Sequence, residues 1–243
     1  MAAVKAGILK INPGLKIVDI THWIEPFDIA HGAYVLKSVF RDFPAGTVHL
    51  VAVNTVYHPD FRYIIMNLED HLFAGPDNGI LSLICEKEPS YVAEIVLLNP
   101  GDRAFPARDV LGKTVAMLAN GMDLKNIGKY TKDYVRLLGR QLKATKKVIA
   151  GNVVRVDHYG NLITNIEQEI FQILHKGRPF IIKFGKELSN RIHSYYTSVE
   201  PGECFVIFNS QGLMEIGINK GNASELLGLG YDSPVMINFE EGP

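Results

Sequence analysis

The pattern of apolar residues changes near residue 148, and this change constrains the fold more than any other feature of the sequence. Before it, apolar runs of strand length alternate with segments of helical spacing. After it, six short apolar runs are broken by Gly, Asn and Pro, with room for only two helices. The sequence therefore predicts an N-terminal α/β domain with a largely parallel sheet over residues 1–147 and a C-terminal, all-β, barrel-like domain over residues 148–243.

Individual elements can be placed in the first part of the chain. Asp28 can cap a helix that begins at Ile29, because its carboxylate can accept hydrogen bonds from the first free backbone amides. The basic stretch RQLKATKK (140–147) could bind nucleic acid, but it contains no aromatic residue and we interpret it as a solvated linker. We expect buried strands over 16–21, 47–54 and 92–98, a hairpin turning at residues 69–70, and helices over 3–11, 29–42, 76–86 and 109–120.

Composition argues against several classes of protein. The 243 residues are 47% hydrophobic and 21% charged, which is typical of a globular protein, and the net charge of −1 gives no support to nucleic-acid binding. No apolar run approaches the length of a membrane span and no signal peptide precedes the first predicted helix, so we expect a cytoplasmic protein without a membrane partner. Cys85 and Cys204 lie in apolar runs and indicate buried thiols rather than a disulfide framework.

Common catalytic motifs do not occur in the sequence. It has no G-x-G-x-x-G after a strand, no Walker A motif, no G-x-S-x-G and no C-x-x-C. The eight histidines form neither an H-x-x-x-H nor an H-x-H pair, which argues against a metal site. Asp19 and His22 lie at the end of a predicted strand, where an α/β site could lie. Local hydrogen bonds explain these two residues equally well and are the interpretation we favour.

The segment RVDHYGNLITNI (155–166) places polar and aromatic side chains around Gly160 in an otherwise strand-like run. One explanation is a turn that only glycine tolerates, which Asp157 and Asn161 would close by hydrogen bonds. The other explanation is a ligand that approaches the bare backbone at the glycine. The segment alone leaves both explanations open.

Six segments follow one another along the chain: DITHWIEPFDIAHGAYVL (19–36), FPAGTVHLVAVN (43–54), GPDNGILSLI (75–84), FPARDVLGKTVAMLANG (105–121), VDHYGNLITNI (156–166) and NSQGLMEIGINKGNASELLGL (209–229). Together they resemble the S-adenosylmethionine (SAM) hydroxide adenosyltransferases, or SAM hydrolases, which are related to the fluorinase and chlorinase. The resemblance implies an α/β domain joined to a β-barrel, in a homotrimer that holds SAM between domains of neighbouring subunits. It also implies that SAM is a substrate and that no cofactor is needed.

The resemblance implies a set of ligand-contacting residues. Asp157 and Asn161 would make polar contacts with the adenosine-methionine ligand, beside an aromatic wall from Tyr159. Gly160 would let the ligand approach the backbone. Without the resemblance, the other aromatic members of the set would be assigned to core packing. The remaining members are Phe27, Asn54, Phe105, Tyr196, Ser210 and Glu215, the last two matching a serine–glutamate pair of the family.

The sequence departs from the family where the attacking water is positioned. The hydrolases resemble one another in using an aspartate, an arginine and a histidine to orient and polarise this water. The matching positions here hold Asn54, Phe61 and Pro106, so the triad is absent. Arg62 could replace the arginine only if its loop shifts by one residue. We take Asn54 and Arg62 as the candidate catalytic residues.

The resemblance also bears on the N-terminal strand and on the groups that could orient the water. The chain starts inside the first helix, so we expect the first strand to be missing, together with the loop whose aspartate holds the ribose hydroxyls. Replacement groups for orienting the water are available in the sequence, namely His58, Asp60 and His158.

The resemblance implies SAM hydrolysis to adenosine and methionine by attack of water at the ribose C5′ carbon. We expect this reaction to be slow, because the amide of Asn54 cannot attract a proton as a carboxylate does. The alternative is a SAM- or adenosine-binding protein without hydrolysis, which the loss of the triad favours. A weaker alternative is adenosyl transfer to a halide.

Overall fold

A computed structural model describes residues 1–56, 61–96 and 104–240. The chain divides into two units, residues 1–138 and 139–243. The first unit combines helices with a mixed sheet, and the second is built around an antiparallel, barrel-like sheet, which confirms the predicted fold class. The stretch predicted as a linker contributes a two-residue strand, Lys143–Ala144, to the second unit.

The described residues of the first unit form five strands: β1 (Val48–Leu50), β2 (Tyr63–Leu68), β3 (His71–Pro76), β4 (Tyr91–Ile95) and β5 (Gly128–Tyr130). Their order in the sheet is β1-β3-β2-β4-β5. The helices are α1 (Ala2–Ile11), α2 (Ile29–Val39), α3 (Ile80–Leu83), α4 (Lys113–Ala119) and α5 (Leu124–Ile127), with a π-helical turn over Ala107–Gly112 before α4. Asp28 caps α2 as predicted, since its carboxylate accepts a hydrogen bond from the backbone N–H of His31 at 2.8 Å.

The sheet is mixed rather than largely parallel as predicted. Among the described strands only β1 and β3 run parallel, and β2 and β3 form the predicted hairpin. Side chains of β2 alternate between two cores, because Ile64 and Met66 pack into one apolar cluster while Tyr63 and Ile65 pack into another. A strand with a core on each face is apolar at every position, whatever the direction of its neighbours. The apolar runs therefore indicated burial on both faces and carried no information about strand direction.

The predicted strand over residues 16–21 is wrong, because the described residues give it no partner strand. Ile17 packs against the core beside β1, but Val18 is 55% exposed. The Asp19 carboxylate instead accepts a hydrogen bond from Lys5 Nζ at 2.5 Å and lies 3.2 Å from His22 Nε2. These contacts confirm the local hydrogen-bond interpretation of Asp19 and His22.

The second unit contains the strands β6 (Lys143–Ala144), β7 (Val148–Val156), β8 (Leu162–Glu167), β9 (Phe180–Phe184), β10 (Glu187–Ser189), β11 (Cys204–Phe208), β12 (Leu213–Ile218) and β13 (Pro234–Phe239). Its helices are α6 (Gln168–His175) and α7 (Ala223–Leu227). The antiparallel strand order is β10-β9-β13-β7-β8-β12-β11, and β6 pairs with β7. The first half of β7 pairs with β13 and its second half pairs with β8, so β7 turns the corner of the barrel-like sheet around one apolar core.

One buried histidine in the first unit, His49, makes its stability depend on pH. His49 Nε2 lies 3.2 Å from His71 Nδ1, and the His49 ring stacks on Phe73 with ring centroids 4.7 Å apart. Burial, and secondarily the neighbouring His71, lower the pKa of His49 from 6.5 to about 4. The unfolded chain therefore binds a proton at His49 that the folded protein excludes, and stability is lost as pH falls from 6.5 towards 4.

We expect the free energy of unfolding to fall by about 1.4 kcal/mol per pH unit through this window on account of His49. Urea unfolding at a series of pH values measures this slope. In the His49→Gln variant the slope should become shallower, because the group that excludes the proton is gone. Equal slopes in the wild type and the variant would show that His49 does not control acid stability.

Candidate functional site

The turn between β7 and β8 is closed by its own side chains. Asp157 Oδ1 accepts hydrogen bonds from the backbone N–H of Tyr159 at 2.9 Å and of Asn161 at 2.8 Å. Its Oδ2 accepts a third hydrogen bond from Asn161 Nδ2 at 3.1 Å. The backbone N–H of Asp157 donates to the carbonyl of Asn161 at 3.0 Å. Asp157 thus orders the turn and fixes the direction of the Asn161 side chain.

Gly160 is required by this turn for two reasons. Its φ of +84° lies in the left-handed region, which disfavours residues with a Cβ. A Cβ at this position would also lie 1.9 Å from Asn222 Oδ1, at the cap of α7. The Gly160 carbonyl accepts a hydrogen bond from the backbone N–H of Ser224 at 2.9 Å. The bare face of the glycine is therefore covered by the protein itself, which supports the turn explanation for this residue.

We expect Gly160→Ala to lower the free energy of unfolding by about 2–4 kcal/mol, because backbone strain and a collision with Asn222 add together. Gly202→Ala is the matched control, since Gly202 has a φ of +92° but no atom within 4 Å of the new Cβ. Gly202→Ala should lower the free energy of unfolding only by the backbone strain, about 1–2 kcal/mol. Chemical denaturation of the two variants measures both values. Equal losses would mean that the contact with Asn222 has no energetic weight.

A buried carboxylate lies in the hairpin formed by β11 and β12. Glu215 pairs with Ile207 across the hairpin and is only 4% exposed. Its Oε2 accepts a hydrogen bond from Asn209 Nδ2 at 3.2 Å, and the Tyr196 hydroxyl and the Asn161 side chain face the same carboxylate. Among the described residues, none donates a well-aligned hydrogen bond to Oε1.

The surroundings of Glu215 make it a candidate acceptor for a ligand. Burial raises the pKa of its carboxyl, and the nearby donors Asn209 and Tyr196 offset only part of this increase. A buried carboxylate oxygen without a donor is costly, and such groups are rare unless they serve a function. A cationic N–H donor on a ligand would complete this acceptor.

Asn209 is a residue of this site that sequence reasoning missed. Its Oδ1 accepts hydrogen bonds from the backbone N–H of Gln211 at 3.0 Å and of Leu213 at 3.1 Å, which shapes the turn between β11 and β12. The same turn carries Ser210, which is exposed. The sequence N-S-Q-G is a recognisable turn signal, but the contact between Asn209 and Glu215 depends on the register of the hairpin.

Core packing does not explain most of the candidate aromatic residues. Tyr159 is 77% exposed, and Tyr196 is half-exposed with its ring edge against Phe205 at a centroid distance of 5.1 Å. Phe27 is 76% exposed and has a φ of +66°, a backbone conformation that bulky residues seldom adopt. Phe105 is partly exposed, with the Arg108 guanidinium 5.4 Å from its ring centroid. An exposed aromatic residue in a strained conformation is a candidate for ligand or partner contact.

The residues at the expected triad positions have different surroundings. Asn54 is half-buried with a φ of +54°, in the left-handed region that asparagine tolerates. Phe61 packs partly into the core, with its ring centroid 5.8 Å from that of Tyr63. Pro106 is buried at the start of the π-helical turn. Two of the three positions therefore serve packing.

Arg62 is engaged by carboxylates of its own unit. Its Nη2 lies 2.7 Å from Oδ2 of the buried Asp77, and its Nη1 lies 3.2 Å from Asp133 Oδ2 and 4.0 Å from Glu94 Oε2. Desolvation lowers the pKa of its guanidinium, but Asp77 and the other carboxylates raise it by more. The catalytic role of Arg62 stays a prediction, and these contacts favour a structural role.

The structure brings one group of predicted residues together, in the second unit: Asp157, Asn161, Tyr196 and Glu215. Tyr159 and Ser210 lie in the two turns beside them. In the first unit, no hydrogen bond, ion pair or ring contact of the described residues joins one predicted residue to another. The rings of His158 and Tyr159 meet edge to face, with their centroids 5.7 Å apart. His58 and Asp60 lie outside the described residues.

The described residues hold neither a cluster of metal ligands nor a helix that could span a membrane. No group of three or more His, Cys, Asp or Glu side chains in 1–56, 61–96 and 104–240 could hold a metal ion. No helix in these ranges combines the length and apolarity that crossing a bilayer requires. Cys85 and Cys204 are free thiols and half-buried, and burial raises the pKa of Cys85 to about 11.

Two protein-family models match the chain. The model of the SAM hydroxide adenosyltransferase N-terminal domain matches residues 1–128, and the model of the SAM hydroxide adenosyltransferase C-terminal domain matches residues 151–236. The boundary between the matches lies in the same region as the boundary between the two structural units.

Proteins of known name and solved structures are also similar to the chain. The (R)-S-adenosyl-L-methionine hydrolase of Methanocaldococcus jannaschii is 30% identical, over 98% of this chain and 90% of the relative. A fluorinase of Actinoplanes sp. is 24% identical, over 69% of this chain and 67% of the relative. The crystal structure of an uncharacterized conserved protein from Thermotoga maritima superposes with a TM-score of 0.87 at 30% identity, covering 98% of this chain and 94% of the other.

Proposed function

This chain belongs to the SAM hydroxide adenosyltransferase family, and from that premise we propose that it hydrolyses SAM to adenosine and methionine. Water attacks the ribose C5′ carbon, and the bond between C5′ and sulfur breaks with its electron pair on sulfur. Methionine leaves as a neutral thioether, and the attacking water loses one proton to solvent. No cofactor takes part in this balance, because the positive charge on sulfur already makes methionine a good leaving group.

The buried carboxylate of Glu215 is the observation that carries the proposal. Its Oε1 accepts no well-aligned hydrogen bond from the described residues, although Tyr196 and Asn161 face the carboxylate, while its Oε2 is held by Asn209. SAM carries an ammonium group with three N–H donors at the methionine end, which would satisfy this oxygen by a charge-assisted hydrogen bond. Tyr196, and Tyr159 on the neighbouring turn, provide aromatic surface for the adenosine end.

The chemistry available at Asn54 limits the rate. Its amide oxygen can accept one hydrogen of a water molecule and so aim the oxygen lone pair, but it cannot take up the proton. Alignment of water with the sulfonium then supplies most of the acceleration. Asn54, with Arg62 as the second candidate, therefore acts in this proposal by orienting water and not as a base.

A second candidate function is binding of SAM or adenosine without hydrolysis. The packing of Phe61 and the burial of Pro106 favour it, because neither position can supply the arginine or histidine of the family triad. Incubation of SAM with the protein, followed by chromatography for adenosine, separates the two functions. A parallel incubation with chloride or fluoride tests halide transfer, and formation of a 5′-halogenated adenosine would support that third possibility.

We further propose that the protein is a homotrimer with SAM bound at subunit interfaces. The proposal rests on the family resemblance and on the exposure of large apolar side chains in one segment of the first unit, where Trp23 is 89% and Phe27 is 76% exposed. Surfaces of this kind are usually covered by a partner. Multi-angle light scattering at micromolar concentration should give about three times the chain mass of 27.0 kDa. A single-chain mass at all concentrations would contradict the trimer.

A further inference from the structure

We propose that Asn209 is a positioning residue that holds the Glu215 carboxylate in one orientation, with Oε2 occupied and Oε1 presented to the ammonium group of SAM. The inference rests on the proposed function for the identity of the ligand. Asn209 acts through Glu215 and does not itself need to touch the ligand.

The hydrogen bonds of Asn209 divide between two tasks. Its Oδ1 accepts from the backbone N–H of Gln211 and of Leu213, so the oxygen is committed to the turn. Its Nδ2 donates to Glu215 Oε2 at 3.2 Å. The turn thereby fixes the amide plane, and the amide plane fixes the carboxylate. The same turn carries Ser210, so a single side chain sets the positions of both members of the serine–glutamate pair.

The orientation matters because the carboxylate is buried among other titratable groups. Two groups face Glu215 from other elements. Tyr196 does so from the loop before β11, and Asp157 from the turn between β7 and β8. Without the amide donor, the carboxylate would rotate or take up a proton to reduce its repulsion with Asp157. Either change removes the open acceptor that a ligand ammonium requires.

The competing explanation is that Asn209 only closes a turn. Asn209→Asp separates the two explanations, because the new carboxylate keeps both acceptor bonds to the backbone but has no N–H to give to Glu215. At neutral pH the two carboxylates repel each other. At lower pH they share one proton, and the pair then has the same net charge and the same donor as the wild-type pair.

Calorimetric titration with SAM and, separately, with adenosine tests the inference. We expect Asn209→Asp to weaken SAM binding about tenfold or more at pH 8, with recovery towards about pH 5.5, and to leave adenosine affinity unchanged. The matched control is Asn12→Asp, because the Asn12 side chain also accepts from a turn amide, that of Gly14, and donates to a neighbouring side chain, Asn120. Asn12→Asp should have the same SAM and adenosine affinities as the wild type at both pH values.

A second measurement does not depend on the ligand. In the ligand-free protein, carbon-13 NMR should show the Glu215 carboxyl titrating at higher pH in Asn209→Asp than in the wild type. Unchanged SAM affinity and an unchanged Glu215 titration in this variant would overturn the inference and leave Asn209 as a turn residue. A wild-type protein that fails to bind SAM would instead overturn the proposed function, and the NMR titration would still decide whether Asn209 controls Glu215.

Discussion

The wild-type protein is expected to turn over SAM about 10²–10⁴-fold more slowly than a hydrolase of the family that carries the aspartate, arginine and histidine. The matching positions hold Asn54, Phe61 and Pro106, and none of these can accept a proton from water. A positioned acid–base group contributes about this factor in rate, so its absence leaves alignment and desolvation as the sources of acceleration. Side-by-side initial rates of adenosine formation measure the difference.

The structure allows the triad residue of the family to be restored at only one of the three positions. Arginine at position 61 would lose the contact with Tyr63, and histidine at position 106 would replace a buried proline at the start of a helical turn. Asn54 has a left-handed backbone that aspartate and glycine also tolerate. Asn54→Asp should therefore raise the rate, while Asn54→Gly, in the same backbone conformation, should lower it. A wild-type rate equal to that of the triad-bearing enzyme would contradict this account.

The Glu215→Gln variant is expected to bind SAM about 10–100-fold more weakly while retaining its affinity for adenosine. The substitution keeps the size of the side chain but removes the charge, and a hydrogen bond to a charged group is worth about 1.5–3 kcal/mol. Adenosine has no ammonium group, so its binding should not depend on this charge. Calorimetric titration with the two ligands gives both affinities.

Glu169→Gln provides the control for this comparison, because Glu169 is an exposed residue of α6. It should leave both affinities unchanged. If Glu215→Gln weakened SAM and adenosine binding by the same factor, Glu215 would contact the adenosine part or only maintain the fold. If it weakened neither, the unpaired Oε1 would have no role in binding.

Local sequence patterns were sufficient for much of the fold. The hairpin of β2 and β3, the cap of α2 at Asp28 and the strands of the second unit each follow from residues close together in sequence. The segment 16–21 shows where such patterns fail, because an apolar run becomes a strand only when a neighbouring strand supplies its hydrogen bonds. The directions of the strands in the first sheet could not be predicted from the sequence either. Burial on both faces gives the same apolar pattern in parallel and antiparallel strands.

The candidate site also shows that local sequence patterns do not reveal contacts between residues far apart in the chain. The turn at Gly160 could be predicted from its Asp and Asn neighbours, but the contact that fills its bare face comes from Asn222, far along the chain. Likewise, Asn209 is recognisable as a turn residue, but its bond to Glu215 exists only in the folded hairpin. The residue types of the site were therefore predictable from resemblance, whereas the hydrogen bonds that orient them required the structure.

Incubation of SAM with the protein in oxygen-18-labelled water tests the central claim most directly. Attack of water at C5′ places the labelled oxygen in the 5′-hydroxyl of adenosine, and unlabelled methionine is released in equal amount. Mass spectrometry of both products should show adenosine heavier by one oxygen-18 substitution, with its formation slow but proportional to the protein concentration. Unconverted SAM at high protein concentration, or adenosine without the label, would contradict hydrolysis by this protein.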